Sequence, residues 1–321
     1  MLTTGTPLLW SIFAGFVVVA LLVDFFAMEK QGAHKVSMQE AAIWSLIWVA
    51  VSFVFVGWLW WYLGGTEGNP VADARALEFI TGYLVEKALA VDNIFVFLLV
   101  FTYFAVPAEY HKRVLMIGIL GALVLRAIMI LVGAWLIAKF HWILYFFGAF
   151  LVFTGIKMWV ATGQEPDLGA NPALKWIRRH MKIAPGYDGE KFFTLHNGVK
   201  MATPLFVVIL LIAIVDVVFA VDSIPAIFAI TMDPFIVLTS NVFAILGLRS
   251  MYFMLEGAID KFHMLKYGLG IVLVFVGLKM VWLNRAFGGH FPIAWSLGII
   301  VGVIAGSVVL SLTFPKKQEN H

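Results

Sequence analysis

The chain has no cysteine and few charged residues. Across 321 residues the count of Cys is zero, which excludes disulfide bridges and thiolate metal ligands. Charged residues make up 13% of the chain and hydrophobic residues 62%, and no soluble globular domain has this balance. The sequence also lacks a phosphate-binding glycine loop, so ATP-driven pumping has no support. Segments of alternating hydrophobicity, which are typical of membrane β-barrels, are absent as well.

What the sequence has instead is a series of apolar stretches, each close to the roughly 20 residues that a helix needs to cross a bilayer. We therefore predict an all-α, polytopic membrane helical bundle of about nine transmembrane helices. The first stretch has no basic residue before it, so we interpret it as a permanent span and not as a signal peptide. The predicted limits are 7–28, 40–63, 77–104, 112–138, 142–161, 203–230, 236–257, 265–283 and 291–314.

The positions of Lys and Arg predict the orientation of the chain, because cytoplasmic loops carry an excess of positive charge. With the N-terminus outside and the C-terminus in the cytoplasm, only Arg75, Lys139 and Arg285 fall on the outer side. The net charge of +3 is then explained by topology and by contact with the lipid bilayer. We expect no nucleic-acid partner.

Acidic residues occur inside the apolar stretches in two similar segments. Residues 86–93 and 216–223 each carry two carboxylates six positions apart, followed by a polar side chain. A carboxylate in the hydrocarbon layer costs roughly 2.5 kcal/mol or more, so a compensating cation is expected. Carboxylate, amide and hydroxyl oxygens suit Mn²⁺, Mg²⁺ and Ca²⁺. The predicted metal ligands are Asp24, Glu86, Asp92, Asp216 and Asp222, with Asn93, Ser223 and Asn241 as supporting ligands.

Two arginines near the middle of their spans, Arg126 and Arg249, are predicted to balance these carboxylates when the site is empty. A simple structural ion pair with the acids is the alternative for both arginines. For Asp24, the alternative to a place in the site is a position near the membrane surface, where its carboxylate reaches water.

The six-residue spacing restricts how each pair can act. On a regular helix the two carboxylates of a pair are about 120° apart around the axis and about 9 Å apart along it. Either the helix is locally unwound, which Pro225 favours in the second segment, or each pair supplies one central ligand and one ligand on an access path. In the second case we expect Glu86 in the outer half of the membrane and Asp216 in the inner half.

The similarity of the two acidic segments extends to a longer internal repeat. Residues 123–126, 139–141 and 155–158 are echoed in the same order further along the chain, at 246–249, 261–263 and 277–280. We therefore predict that a three-helix unit, 77–161, is duplicated as 203–283. Three crossings are an odd number, so the repeats are inverted, as in many secondary transporters.

The predicted organisation places these repeats between other parts of the chain. They are two N-terminal helices in 1–76, a basic cytoplasmic loop in 162–202, and a final helix with a cytoplasmic tail in 284–321. Residues 175–182 of the loop form a short basic amphipathic element. It is interpreted as a surface helix on anionic headgroups or as a docking site for a partner.

Four segments carry a resemblance to a known family: 86–93, 219–226, 234–241 and 244–249. The chain resembles the TerC/Alx family of bacterial integral membrane proteins over nearly its whole length, and most closely the Alx branch. The resemblance implies a manganese exporter of the inner membrane, with Mn²⁺ as the transported substrate and no organic cofactor. It also implies partners in membrane-protein assembly or secretion for some members. The residues themselves leave Mn²⁺, Ca²⁺ and Mg²⁺ open.

The functional hypothesis is therefore a divalent-ion exporter without enzymatic activity, which works by alternating access. Mn²⁺ would be taken up near Asp216, be held between Asp92 and Asp222, and leave past Glu86, with proton exchange as the coupling hypothesis. The alternatives are a non-transporting assembly factor, a transporter of another cation such as Ca²⁺, and, more weakly, an intramembrane aspartyl protease.

Overall fold

The chain folds into a bundle of long helices. The computed structural model describes residues 3–31, 37–140, 142–161, 172–196, 199–256, 264–288 and 291–314. The helices are α1 (Pro7–Gln31), α2 (Met38–Thr66), α3 (Asn69–Tyr103), α4 (Ala108–Lys139), α5 (Ile143–Ala161), α6 (Pro172–His180), α7 (Pro204–Phe228), α8 (Pro234–Leu246), α9 (Leu248–Glu256), α10 (Leu265–Leu278), α11 (Asn284–Ala286) and α12 (Ile293–Thr313), with a π-helical segment (Lys279–Leu283) between α10 and α11 and a hairpin of β1 (Phe193–His196) and β2 (Val199–Ala202) before α7.

Within the described residues, seven helical stretches are long and apolar enough to cross a membrane. They are α1, α2, α4, α5, α7, the continuous stretch from α10 to α11, and α12. The pair α8 and α9, bent by 41° at a short break, makes an eighth if the two helices form one span. The polytopic all-α membrane architecture is therefore confirmed.

The remaining long helix, α3, differs from the others in charge. It has 35 residues and begins at Asn69, eight residues before the predicted limit at 77. Its charged residues include Arg75, Glu86 and Lys87, and a helix with this many charges falls outside the apolar set. Its length nevertheless exceeds what a bilayer requires.

The two acid-bearing helices, α3 and α7, run through their acidic segments without interruption. The expectation of a locally unwound segment at Pro225 is therefore wrong: α7 continues through Pro225 to Phe228. Proline is tolerated in membrane helices where neighbouring groups satisfy the freed backbone. The second predicted repeat is instead interrupted at Gly247, between α8 and α9.

Helices α3 and α7 pack against each other, and each also packs on a helix of the other predicted repeat. Helix α3 contacts α8, and α7 contacts α4. Helix α5 packs along α10 through two glycine pairs, Gly148 with Gly277 and Gly155 with Gly270. Small residues allow helix backbones to approach closely in a membrane.

The loop before α7 contains α6 and the β-hairpin. Leu174 and Ile177 of α6 are buried in a cluster with Val207 of α7, so the apolar side of the predicted amphipathic element faces the protein. Trp176 on the other side is exposed. The first part of the loop and the hairpin turn at 197–198 lie outside the described residues, as do 141 and 261–263 of the predicted repeat.

Candidate ion-binding site

The guanidinium of Arg126 lies in the bundle interior between the two acid-bearing helices. Its side chain is 1% exposed. Nη2 donates to Oδ1 of Asp216 at 3.0 Å, and Nε donates to Oδ2 of the same carboxylate at 3.3 Å. Nη1 donates to Glu86, which is completely buried. One arginine thus joins a carboxylate of α3 to a carboxylate of α7.

Two supporting polar residues complete the surroundings of Arg126. Nη1 also donates to Oγ of Ser223 at 3.3 Å. With its amide oriented to satisfy both of its neighbours, Asn93 accepts from Nη2 at 3.2 Å and donates to the carbonyl of Leu89 at 3.3 Å. The guanidinium is therefore enclosed by oxygen atoms, an environment that a cation requires when it is removed from water.

Glu86 and Asp216 share this arginine, so the two carboxylates lie close together. The expectation that Glu86 lies in the outer half of the membrane and Asp216 in the inner half stays a prediction. Contact between α3 and α7 brings the repeat-equivalent positions 86 and 216 to the same arginine. A sequence offset cannot show this, because it contains no information on which helices pack together.

A small cavity of about 90 Å³ adjoins Arg126 through Asn93 and Ser223. Asp222 also lines it, and its Oδ1 accepts a hydrogen bond of 3.3 Å from Oγ1 of Thr154 on α5. The volume corresponds to about three water molecules at roughly 30 Å³ each. Three of the predicted site residues are thus brought to one cavity, together with Thr154, which the sequence prediction missed.

The side chain of Asp92 lies outside the described residues, although α3 runs through this position. Across the described part of the chain, no group of three or more His, Asp or Glu side chains is close enough to hold a metal ion. The site as seen here is occupied by the guanidinium of Arg126.

Some buried polar atoms of the predicted ligands have no hydrogen-bond partner within the described part of the chain. They include the second carboxylate oxygen of Glu86 and both amide atoms of Asn241, which is completely buried on α8. Native proteins leave few buried polar groups unpaired, and those that occur call for an explanation such as an ion or water. Asn241 is one of the predicted supporting ligands, and it does not contact Arg126 among the described hydrogen bonds.

The second arginine, Arg249, has a different partner from Arg126. Its Nη2 donates to Oδ1 of Asp24 on α1 at 2.6 Å. Both side chains are largely buried, with 11% and 13% exposure. Asp24 is thus paired with an arginine of α9, whereas Glu86 and Asp216 are paired with Arg126.

Comparison with known proteins gives a family. The model of the integral membrane protein TerC family matches residues 71–319. The chain is 53% identical over 311 residues to the "Putative membrane-bound redox modulator Alx" of Escherichia coli (strain K12), which covers 97% of this chain and 96% of that protein. An uncharacterized membrane protein of Myxococcus xanthus, STKORF319, is 47% identical over 310 residues, or 97% and 93% of the two chains.

A more distant relative is an uncharacterized membrane protein of Rickettsia bellii, which is 38% identical over 271 residues and covers 84% of this chain and 87% of its own. No solved structure shows significant similarity to the chain. The family match and these alignments each extend over most of the sequence. The chain belongs to the TerC family of integral membrane proteins.

Proposed function

We propose that this chain exports a divalent metal ion, Mn²⁺, across the bacterial inner membrane by alternating access. The observation that carries the proposal is the buried guanidinium of Arg126, which binds one carboxylate from α3 and one from α7. A desolvated cation enclosed by carboxylate, amide and hydroxyl oxygens marks a place built for positive charge. In this proposal the guanidinium of Arg126 occupies the position of the metal ion when no ion is bound.

The ion would be bound by residues around the cavity next to Arg126. Asp222, Asn93 and Ser223 line the cavity, and we propose Asp92 as a further ligand from α3. Mn²⁺ prefers such oxygen ligands. As the ion binds, Glu86 and Asp216 would transfer from Arg126 to the ion, so the guanidinium leaves as the metal arrives. Asp24, paired with Arg249, would stay outside the ligand set.

Nine spans and inverted repeats belong to this proposal. The ninth span is α3, whose charged residues Glu86 and Lys87 would face the bundle interior. The packing supports a two-fold relation: α3 contacts α8 as α7 contacts α4. The glycine pairs support it further, because Gly148 and Gly270 are repeat-equivalent, as are Gly155 and Gly277, and the contacts are crosswise. Crosswise contacts are what a two-fold axis produces.

The orientation follows from the same topology, with the N-terminus outside and the C-terminus in the cytoplasm. A cavity of about 740 Å³ lies at the end of the bundle where α3 and α8 begin, which this topology places outside. The space beside Asp216, at about 10 Å³, is nearly closed. This difference supports an outward-facing state.

Coupling to protons is part of the proposal, because carboxylates that lose a metal ion inside the membrane gain from binding a proton. Metal flux that is independent of a pH gradient and moves no protons in proteoliposomes would exclude it. The name of the Escherichia coli relative mentions redox modulation. The 321 residues here contain no cysteine, so an effect on redox state would pass through the metal and not through thiol exchange.

The decisive experiment is reconstituted transport with Mn²⁺, Ca²⁺ and Mg²⁺. We expect Mn²⁺ flux in the wild type and its loss in Asp92→Asn and Asp222→Asn. The matched control is Asp73→Asn, since Asp73 is exposed on the same helix as Asp92 and accepts a hydrogen bond from Trp60. No flux of any divalent ion would refute the proposal. Flux of Ca²⁺ in place of Mn²⁺ would correct the substrate.

The same variants distinguish an exporter from an assembly factor in cells. A factor that only holds partner helices predicts that cellular manganese and manganese tolerance are unchanged in Asp222→Asn. An exporter predicts higher cellular manganese and lower tolerance. Cleavage of a membrane substrate that is lost in both Asp variants would instead indicate an intramembrane protease.

A further inference from the structure

The cavity of about 740 Å³ at the outer end of the bundle contains a buried lysine. Lys279 lines this cavity and is only 3% exposed. Its ammonium makes no hydrogen bond or salt bridge to any residue that the structure describes. A buried ammonium with no direct hydrogen bond or ion pair is costly, and the carboxylate of Glu78 in the same cavity acts on it electrostatically.

The repeat-equivalent lysine shows that this burial is not a general property of the sequence pattern. Lys157 and Lys279 both follow glycine by two positions and precede methionine, but Lys157 is exposed. The π-helical segment begins at Lys279, whereas α5 is a regular helix through Lys157. A π-bulge changes which side a residue faces and is frequent at functional sites. The helix is thus distorted where its lysine turns into the cavity.

Where Glu78 and Asp233 line the cavity, two negative charges are close to one positive charge, that of Arg75. Arg75 donates to Oε2 of Glu78 at 2.7 Å and lies 3.8 Å from Asp233, so one guanidinium serves two carboxylates. Thr231 also donates to Oε2 of Glu78 at 2.7 Å. The other oxygen, Oε1, accepts no hydrogen bond from the described residues. Asp233 is committed to the backbone, since it caps α8 and binds the N–H of Thr4.

We propose that this outer cavity is a second, weak site for the transported divalent cation, held by Glu78 and the hydroxyl of Thr231, with Lys279 as a tethered competing cation. The inference rests on the proposed function for the identity of the ion. One carboxylate with water in the remaining positions is a common way to hold a small divalent ion weakly. Glu78 supplies that carboxylate, and the cavity has room for the water.

Lys279 keeps the affinity of this site low. When the ion is at Glu78, the ammonium repels it. When the ion leaves to the outside, the ammonium again balances the excess negative charge of the Glu78, Asp233 and Arg75 group. Return of an ion from outside is thereby disfavoured. Arg126 has the same relation to Glu86 and Asp216 in the centre, so both sites would use a protein cation to release the metal.

The test is equilibrium binding of Mn²⁺ to the full chain in lipid nanodiscs, followed by electron paramagnetic resonance of free Mn²⁺. We expect Lys279→Gln to tighten one class of site by about tenfold, since Coulomb repulsion from one nearby unit charge acts twice on a divalent ion. Adding Glu78→Gln to Lys279→Gln should abolish the gain. Lys279→Arg keeps the charge and should bind as the wild type does.

Lys157→Gln is the matched control, because it removes the repeat-equivalent lysine at the other end of the bundle, and we expect no change. Equal affinity in Lys279→Gln and the wild type would overturn the inference, as would a gain that persists without Glu78. Binding does not depend on transport. If the wild type transports no Mn²⁺ but Lys279→Gln binds Mn²⁺ more tightly, the proposed function fails and the second site stands. If the wild type transports Mn²⁺ but Lys279→Gln binds it no more tightly, the second site fails and the proposed function stands.

Discussion

The ammonium of Lys87 donates a 3.0 Å hydrogen bond to the carbonyl oxygen of Ala244. Ala244 lies in the last turn of α8, three residues before Gly247, where the path of the chain bends by 41° into α9. Carbonyl groups in a last helical turn lack partners within the helix, and a cation there also interacts favourably with the helix dipole. Lys87, which follows Glu86 in the sequence, therefore connects α3 to the break between α8 and α9.

Gly247→Ala tests this contact, because a Cβ at Gly247 would stand 2.7 Å from Nζ of Lys87 and 3.1 Å from Cβ of Trp48. We expect the ammonium to be displaced and amide hydrogen exchange in residues 244–250 to become faster. Lys87→Met should have the same effect and should lower stability by about 1–3 kcal/mol, since a buried carbonyl loses its partner. Gly57→Ala on α2 is the control, as nothing lies within 4 Å of its Cβ position. Unchanged exchange in both variants would show that the contact does not hold the break.

The close packing of α5 on α10 gives a second prediction. A Cβ at Gly155 would lie 2.6 Å from the carbonyl oxygen of Gly270, and a Cβ at Gly270 would lie 2.9 Å from that of Gly155. Both obstacles are backbone atoms, so the helices must move apart. We expect Gly155→Ala to destabilise the protein by about 1–3 kcal/mol, measured by thermal unfolding in detergent. Gly298→Ala on α12, where the space is open, should be close to neutral; equal effects would contradict the prediction.

The positions of the helices could be predicted well from the sequence, whereas the partners of the charged residues could not. Each predicted span overlaps a helix or a bent pair of helices, because the length of an apolar stretch is a local property. Arg126 and Arg249 occupy equivalent places in similar segments, yet Arg126 binds Glu86 and Asp216, and Arg249 binds Asp24.

The cause of this difference lies outside the repeats. Asp24 belongs to α1, which precedes both units and supplies a carboxylate near only one of the two arginines. Nothing in residues 246–249 indicates that neighbour. Likewise, the sequence around Lys279 resembles that around Lys157 and indicates neither the π-helical segment nor the burial of Lys279.

The Arg249–Asp24 pair leads to a third prediction. Both groups are largely buried, so removing one leaves a charge without its partner. We expect Asp24→Asn and Arg249→Met each to lower the unfolding temperature, and the double variant to lose less than the sum of the two, with a coupling of about 1–3 kcal/mol. Mn²⁺ affinity should stay unchanged in the double variant. A clear loss of affinity there would instead place Asp24 among the metal ligands.

The strongest prediction concerns Arg126. Without it, Glu86 and Asp216 are two buried carboxylates with no cation, and we expect Arg126→Met to cost about 3–5 kcal/mol. Arg126→Lys should recover only part of this loss, because an ammonium cannot reproduce the paired hydrogen bonds that a guanidinium makes to a carboxylate. Combining Arg126→Met with Glu86→Gln and Asp216→Asn removes the unpaired charges. This triple variant should recover more of the lost stability than Arg126→Lys does.

Metal separates the structural role of Arg126 from its proposed role as a substitute for the ion. If the guanidinium occupies the place of the metal, Mn²⁺ should stabilise Arg126→Met more than it stabilises the wild type, because it no longer competes with the arginine. At 100 times the dissociation constant a ligand adds about 2.7 kcal/mol, which thermal unfolding with and without Mn²⁺ can detect. The triple variant, which lacks both carboxylates, is the control and should lose this gain. Equal stabilisation of Arg126→Met and the wild type would mean that metal and guanidinium do not share a site.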